Sequence, residues 1–450
     1  MTRRLHIGAA YHGVGGPGTY RLWTNPELAP DAGVRLDRYL EWARLAEEGL
    51  LDFFFLADSV RIERHSPPHY LNRLEPITAL AAIATHTRHV GLVATISSTY
   101  EPPLSVARAI ASLDLISEGR AGVNIVTTTD EGAARLYGAD AHPLHADRYA
   151  QAGEFVDVVR GLWATYGDDA FPYDAAAERF LDPGDVWPLR HEGRFYRVEG
   201  GLNVQRSRQG EPVVFQAGDS PEGRELGASH AEAIFSFPRP LDEQVAIVAE
   251  YRRRAAELGR TAPLVLPGIS PIVASTDDEA RAIERARHDA KPFDERLRAF
   301  GRTFAWHDFT QYDPDAAFPD LGDQDWRAHP TKVREIVESA RAEGLTLREV
   351  VDRSAPFRPS PFVGTAETVA AELLRWFDAE ALDGVILLQH LPSDFRAFID
   401  GVVPILQARG VYRTAYDEGS TLRSHLGLDV PAPRRAADAQ PWEAREPATA

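Results

Sequence analysis

The sequence predicts an α/β protein, a closed (β/α)8 barrel with insertions, and three observations carry that prediction. Eight short apolar runs rich in Val, Ile, Leu or Phe alternate with longer stretches of helical periodicity. The count of eight favours closure over an open doubly wound sheet, because right-handed crossovers carry successive strands round to the first. A dinucleotide-type rival is weakened by its own motif. "GVGGPG" (13–18) matches G-x-G-x-x-G, but Pro17 and the following "TYRLWTNPE" lead into a loop rather than a helix.

Taken in order, the predicted strands are "LHIGAAY" (5–11), "LDFFFLA" (51–57), "HVGLVATIS" (89–97), "AGVNIVTT" (121–128), "PVVFQAG" (212–218), "AEAIFSF" (231–237), "LVLPGISPIVA" (264–274) and "GVILLQH" (384–390). Each is too short for a helix and is bounded by turn residues or charges. The stretches between them predict helices over 35–49, 73–86, 103–117, 145–165, 221–229, 241–259, 276–298, 366–379 and 394–408. Two segments exceed what a barrel needs. Residues 166–210 predict a hairpin in which "RFYRVEG" and "LNVQRS" flank a Gly turn. Residues 299–362 carry scattered aromatics and two short helices near 330–341 and 346–352, the pattern of a lid or an oligomer contact. The expected organisation is one barrel domain over 1–430 and a flexible Pro/Ala-rich tail over 431–450.

Composition narrows the function. A formal charge of −18 with no basic run opposes binding to nucleic acid or an anionic membrane. There is no cysteine, which excludes disulfides, thiolate metal sites and cysteine nucleophiles. The His residues lack H-E-x-x-H or comparable spacing, so no metal site is expected. No segment reaches about 18 uninterrupted apolar residues and the start lacks a long apolar region, so a cytoplasmic protein is expected. Of 49 lysines and arginines only Lys291 and Lys332 are lysines, neither at a strand end, which argues against Schiff-base chemistry.

In such a barrel the working face is the C-terminal end of the strands. The polar residues there are His12 past the first strand, Asp58 after the second, Thr95 and Ser97 on the third, Asn124 and Thr127 on the fourth, Ser220 after the fifth, and Gln389 and His390 on the eighth. A buried run ending on Asp58 sets a carboxylate at the mouth; the competing reading is a turn cap. His145 and Tyr149, four apart, share a face at the start of a helix whose N–H groups favour an anion. "FQAGDSPEG" runs from strand through Gly218 and Ser220 into a helix opened by Pro221, a junction suited to phosphate, although Ser220 also fits as an N-cap.

These stretches, with "GLVATISSTYEPPLSVARAIASLDLISEGRAGVNIVTT" (91–128), "HADRYAQAGEFVDVVRGLW" (145–163), "GEPVVFQAGDSPEGRELGASHAEAIFS" (210–236), "FVGTAETVAAEL" (362–373) and "LRSHLGL" (422–428), resemble the bacterial luciferase-like flavin-dependent monooxygenases. The likeness is to the group of nitrilotriacetate, EDTA and dibenzothiophene-sulfone monooxygenases, and it spans nearly the whole chain. It implies a TIM barrel of the bacterial luciferase type with FMN at its C-terminal mouth. By position, Asp58 and Thr95 would contact the flavin ring region, His145 and Tyr149 the ribityl and phosphate end, and Ser220 the phosphate, with Asn124 a secondary pocket residue. Two departures stand out: Asp219 sets a carboxylate where the family often has a small neutral residue, and Val123 replaces a usual Trp.

The implied reaction uses FMNH2 from a separate NAD(P)H:flavin reductase and O2 as co-substrate, through a flavin C4a-hydroperoxide, to oxygenate a small organic molecule. Such a protein must exclude water and proton leakage; residues 299–362 are the candidate lid, and His12 and His390 are candidates for steering protons. The family also implies a homo-oligomer, a dimer or tetramer. Two alternatives stay open, a deazaflavin-dependent oxidoreductase on the same barrel and a non-catalytic flavin-binding protein. Arg21, Arg61 and Arg64 are the cations available near the mouth for an anionic substrate.

Overall fold

Eight parallel strands close into a barrel in the computed structural model, which describes residues 3–16, 19–64, 66–322, 330–354, 356–433 and 439–442. They are β1 (His6–Ala10), β2 (Phe53–Leu56), β3 (Gly91–Ser97), β4 (Ala121–Val126), β5 (Val213–Gln216), β6 (Ala233–Ser236), β7 (Leu264–Ile269) and β8 (Gly384–Leu387). Neighbours follow chain order, and the ring closes where Ile7 of β1 aligns with Val385 of β8. Each predicted run contains one of these strands.

Period-two alternation divides every run between two cores. Phe53 and Phe55 face inward with Ala10, Val93, Phe215 and Leu266, whereas Phe54 and Leu56 face the surrounding helices. The barrel accommodates the Phe53 ring because its neighbour is Gly8, where a Cβ would stand 2.1 Å from that ring. The "LRSHLGL" stretch closes the floor: it forms the short helix Leu422–His425, and Leu422 and Leu426 enter the inner core. Gly91 and Gly122 make way for it, since a Cβ on either would come within 2.5 or 3.0 Å of Leu422.

Four local expectations are corrected. Arg197–Gly200 pairs antiparallel with Leu189–Glu192, upstream of it, and not with "LNVQRS". The turn is fixed from outside by the Glu154 carboxylate, which accepts the N–H groups of Phe195 (3.0 Å) and Tyr196 (2.7 Å). The helix expected over 276–298 breaks at Pro292 into Asp277–Asp289 and Phe293–Gly301, because proline has no N–H to continue it. The helix expected over 394–408 becomes Pro392–Ala397, a π-turn Phe398–Val402, and Val403–Ala408, the wide turn relieving the clash that Pro404 would make. The seventh run divides at Pro271: Ile272–Val273 leaves the barrel to pair with Val363–Gly364.

Within 299–362 the helices Pro330–Glu343 and Leu347–Ser354 form as expected. The aromatics Phe300, Phe304, Phe309 and Phe318 pack mainly on one another, in a core separate from the barrel's. Most of the expected tail, 434–438 and 443–450, lies outside the described residues; of the rest, the Trp442 N–H donates to Val186 O (3.0 Å). No helix among the described residues is long and apolar enough to cross a membrane.

Candidate functional site

The strand ends converge on a cavity of ≈ 680 Å³ at the C-terminal mouth, within the roughly 300–1,000 Å³ usual for small-molecule sites. Asp58 follows β2, Thr95 and Ser97 end β3, Thr127 and Thr128 follow β4, and Ala217 follows β5, all in its wall with Tyr149. The 299–362 segment supplies the opposite wall through Arg302, Thr303 and Trp306. Ala305 and Trp306 hold left-handed φ values of 51° and 68°, strain of the sort concentrated at functional sites.

Thr95 and Asn124 are register partners on adjacent strands, and the Asn124 amide donates to Thr95 Oγ1 at 3.1 Å. The buried Asn124 Oδ1 has no partner among the described residues. Asp58 is not a turn cap alone: it pairs with Arg73 at 3.0 Å, and Arg73 also donates to Ala57 O and Ser59 O. Burial nevertheless lifts the Asp58 carboxyl above its ordinary range, with Arg73 offsetting part of the effect.

Tyr149 links this wall to the phosphate-type junction. Its hydroxyl lies 3.2 Å from where a Cβ on Gly218 would stand, and its ring is 4.9 Å from that of His145. His145 is exposed and 3.8 Å from Glu222. Ser220 caps the helix Pro221–His230, its Oγ accepting the Gly223 N–H at 3.1 Å. Gly218 and Gly223 pack backbone to backbone; a Cβ on Gly223 would reach 2.9 Å from Gly218. The Glu222 carboxyl sits below its ordinary range, through its own backbone N–H, the Ser220 hydroxyl and His145. Asp219 turns away to pair with Arg239 and lies 3.9 Å from Arg224, so its charge is offset.

The structure also gathers His12 and His390, with a third histidine that the sequence reading missed. His69 lies on a one-turn helix, Pro68–Leu71, outside any strand end, so barrel topology gave no signal for it. Ring centroids are 6.2 Å apart for His12–His69 and 6.0 Å for His12–His390. His69 is buried with neither ring nitrogen partnered among the described residues, and Nδ1 of His12 and of His390 is likewise unpartnered. Burial and neighbouring positive charge push these rings down to about 3 (His12), about 2 (His69) and about 4 (His390), so all three are neutral at neutral pH. Of the mouth cations, Arg61 is engaged by Asp130 and Glu63, and Arg21 by Asp294 at 3.3 Å.

A phosphate-bearing flavin fits these residues: a cavity of suitable volume, an unpartnered amide oxygen near its wall, and an anion cradle at its edge where glycine lets backbone approach. Comparison with known proteins points the same way. The chain is 39% identical over 418 residues to N-acetyl-S-(2-succino)cysteine monooxygenase of Bacillus subtilis (strain 168), covering 92% of this chain and 95% of that one. It is 38% identical to nitrilotriacetate monooxygenase component A of Aminobacter aminovorans, covering 92% and 94%. Among solved structures, riboflavin lyase with modified FMN and riboflavin superposes with a TM-score of 0.80 at 32% identity, over 96% of this chain and 98% of that one. The luciferase-like monooxygenase profile matches residues 18–382, and the chain belongs to that family of monooxygenases.

Proposed function

We propose that this monooxygenase is the oxygenase component of a two-component system, taking reduced FMN from a separate NAD(P)H:flavin reductase and using O2 to oxygenate a small organic molecule. The mouth cavity carries the reading: Asp58, Thr95 and Tyr149 line it, and Tyr149 in turn packs against His145 and reaches Gly218 ahead of Ser220. Support comes from a relative named as component A and from another seen with modified FMN.

Bound at the mouth, reduced FMN would supply the electrons that activate O2, one oxygen atom going to the substrate and the other to water. The chain's own residues bind, orient and keep dry. Ser220, Tyr149 and His145 would hold the phosphate end, and Asp58, Thr95 and Asn124 would take the ring region. His12, His69 and His390 are neutral, so each ring offers one N–H donor and one acceptor nitrogen to hydrogen bonds and none is a standing acid. Trp306 and its neighbours cover the opposite side, where exclusion of water protects the reactive state.

Anaerobic titration with photoreduced FMN tests the reading. Binding with a Kd of about 1 µM or tighter is expected, followed, on admitting 18O2 with an accepted substrate, by 18O in the product. Failure to bind reduced FMN, with binding of a reduced deazaflavin instead, would overturn it.

A further inference from the structure

A second cavity, of ≈ 590 Å³, shares Ala299 and Thr303 with the wall of the first. Its lining carries five cations in a chain of net charge −18, Arg287, Lys291, Arg296, Lys332 and Arg358, with His288 among them. The only two lysines of the sequence are both there. Two of the five cations are occupied, Arg287 by Asp394 (2.8 and 3.0 Å) and Arg296 by Asp352, and His288 lies against Asp289 (3.1 Å). The two carboxylates in the lining are also engaged. Glu284 takes Arg281 (3.1 Å) and the Ser360 N–H (2.6 Å), and Glu295 takes the Tyr20 N–H (2.5 Å). Lys291, Lys332 and Arg358 have no ion-pair partner among the described residues.

These three come from separate segments, ahead of the helix Phe293–Gly301, on the helix Pro330–Glu343 and on the loop after Leu347–Ser354. Between them lie the apolar side chains of Phe300, Ile336 and Phe357. A compact inorganic anion is held by donors converging on one point. Cations dispersed over an apolar wall instead match acid groups separated by hydrocarbon, and arginine adds a fork that suits carboxylate. Ser270 of the same lining donates to Leu388 O (2.9 Å), two residues ahead of His390, which sets this wall beside the histidine group at the mouth.

We infer that this second cavity is a substrate-acid subsite, holding one or more carboxylates of a small organic acid whose apolar part reaches past Ala299 and Thr303 toward the mouth. The inference rests on the oxygenase reading above, whose substrate it specifies. The test titrates the full chain with succinate, adipate and suberate, each against its diamide and against inorganic phosphate, with and without reduced FMN under anaerobic conditions. The dicarboxylates are expected to bind, and the Lys291→Gln/Arg358→Gln double variant to bind them about tenfold more weakly or worse, with Lys291→Arg retaining affinity. Reduced FMN is titrated on the same variants and should bind all of them alike, which also shows that they are folded. Equal binding of diamides, displacement by phosphate at equal concentration, or dicarboxylate affinity unchanged in the double variant would each overturn the inference. Loss of reduced-FMN binding by every form, with acid binding that still follows Lys291 and Arg358, would sink the oxygenase reading and leave the acid site standing.

Discussion

The two ends of the barrel treat buried polar groups in opposite ways. At the floor they are paired. Arg120 donates to Ser117 O, Thr87 Oγ1, Val90 O, Ala84 O and Thr87 O. Arg423 donates to Glu232 (2.8 Å) and Glu211 O (2.8 Å), and Arg413 pairs with Asp52, whose second oxygen accepts the Ile7 N–H (2.7 Å). At the mouth, His12, His69, His390 and Asn124 each keep at least one buried polar atom without a partner among the described residues. A buried polar group left unpaired costs about 1–3 kcal/mol, so a fold retains several together only where something else satisfies them. The floor is built for stability and the mouth holds hydrogen-bonding capacity for a ligand.

The largest expected effect breaks the floor. Arg423→Met removes one of the two guanidinium partners of Glu232, leaving Arg160 (3.4 Å) and the Val214 N–H, and also removes the donor to Glu211 O, so it should lower the unfolding free energy by about 3 kcal/mol in urea denaturation. His69→Leu, at the mouth, should change stability by less than about 1 kcal/mol or raise it, because it removes unpaired polar atoms rather than a pair. Equal losses in the two variants would erase the distinction between the ends.

The strands and the ring order were legible because each buried parallel strand leaves a short apolar run, and eight of them leave little choice of topology. Breaks set by single prolines, at Pro292 and before Pro404, are legible in the sequence, but helical periodicity that continues on both sides of each proline masks them. The hairpin partner was not legible, because Glu154, more than thirty residues away on another helix, fixes the turn. At the site, strand-end position and the resemblance named Asp58, Thr95 and Tyr149, which line the mouth cavity, and Asn124, His145, Ser220, His12 and His390, which are not in its lining. They could not find His69, which arrives on a loop helix, nor show that Arg21 and Arg61 are spoken for while Lys291 and Arg358 have no carboxylate partner among the described residues.

Acid sharpens the comparison with an effect of intermediate size. The folded-state values of His12, His69 and His390 all lie below the ordinary 6.5. Between 6.5 and those values the unfolded chain therefore binds protons that the folded chain refuses. The stability these rings contribute is complete above about pH 6.5 and falls with pH below it, by about 1.4 kcal/mol per histidine per unit. Asp114, raised to about 6 by burial, acts with the opposite sign, so the informative quantity is a difference between variants. From pH 7 to pH 5, His69→Leu should lose about 2 kcal/mol less than the parent chain. Equal losses would mean that His69 is protonated in the fold and already partnered.

The smallest effect separates two roles of one hydroxyl. Ser220 is an N-cap in the free chain, and the functional reading makes it a phosphate ligand as well. Ser220→Ala loses both and should cost about 1 kcal/mol of stability. Ser220→Asp keeps the cap, since aspartate caps as well as serine and its charge suits a helix N-terminus, so unfolding should shift by less than about 0.5 kcal/mol. It also adds a carboxylate beside Asp219 and Glu222, against an incoming phosphate. Reduced FMN should then bind about tenfold more weakly, about 1.4 kcal/mol, while reduced riboflavin, which lacks the phosphate, should be nearly unaffected. Were FMN and riboflavin weakened equally, Ser220 would be a cap and nothing more, and the phosphate would have to be held by Tyr149, His145 and the helix amides alone.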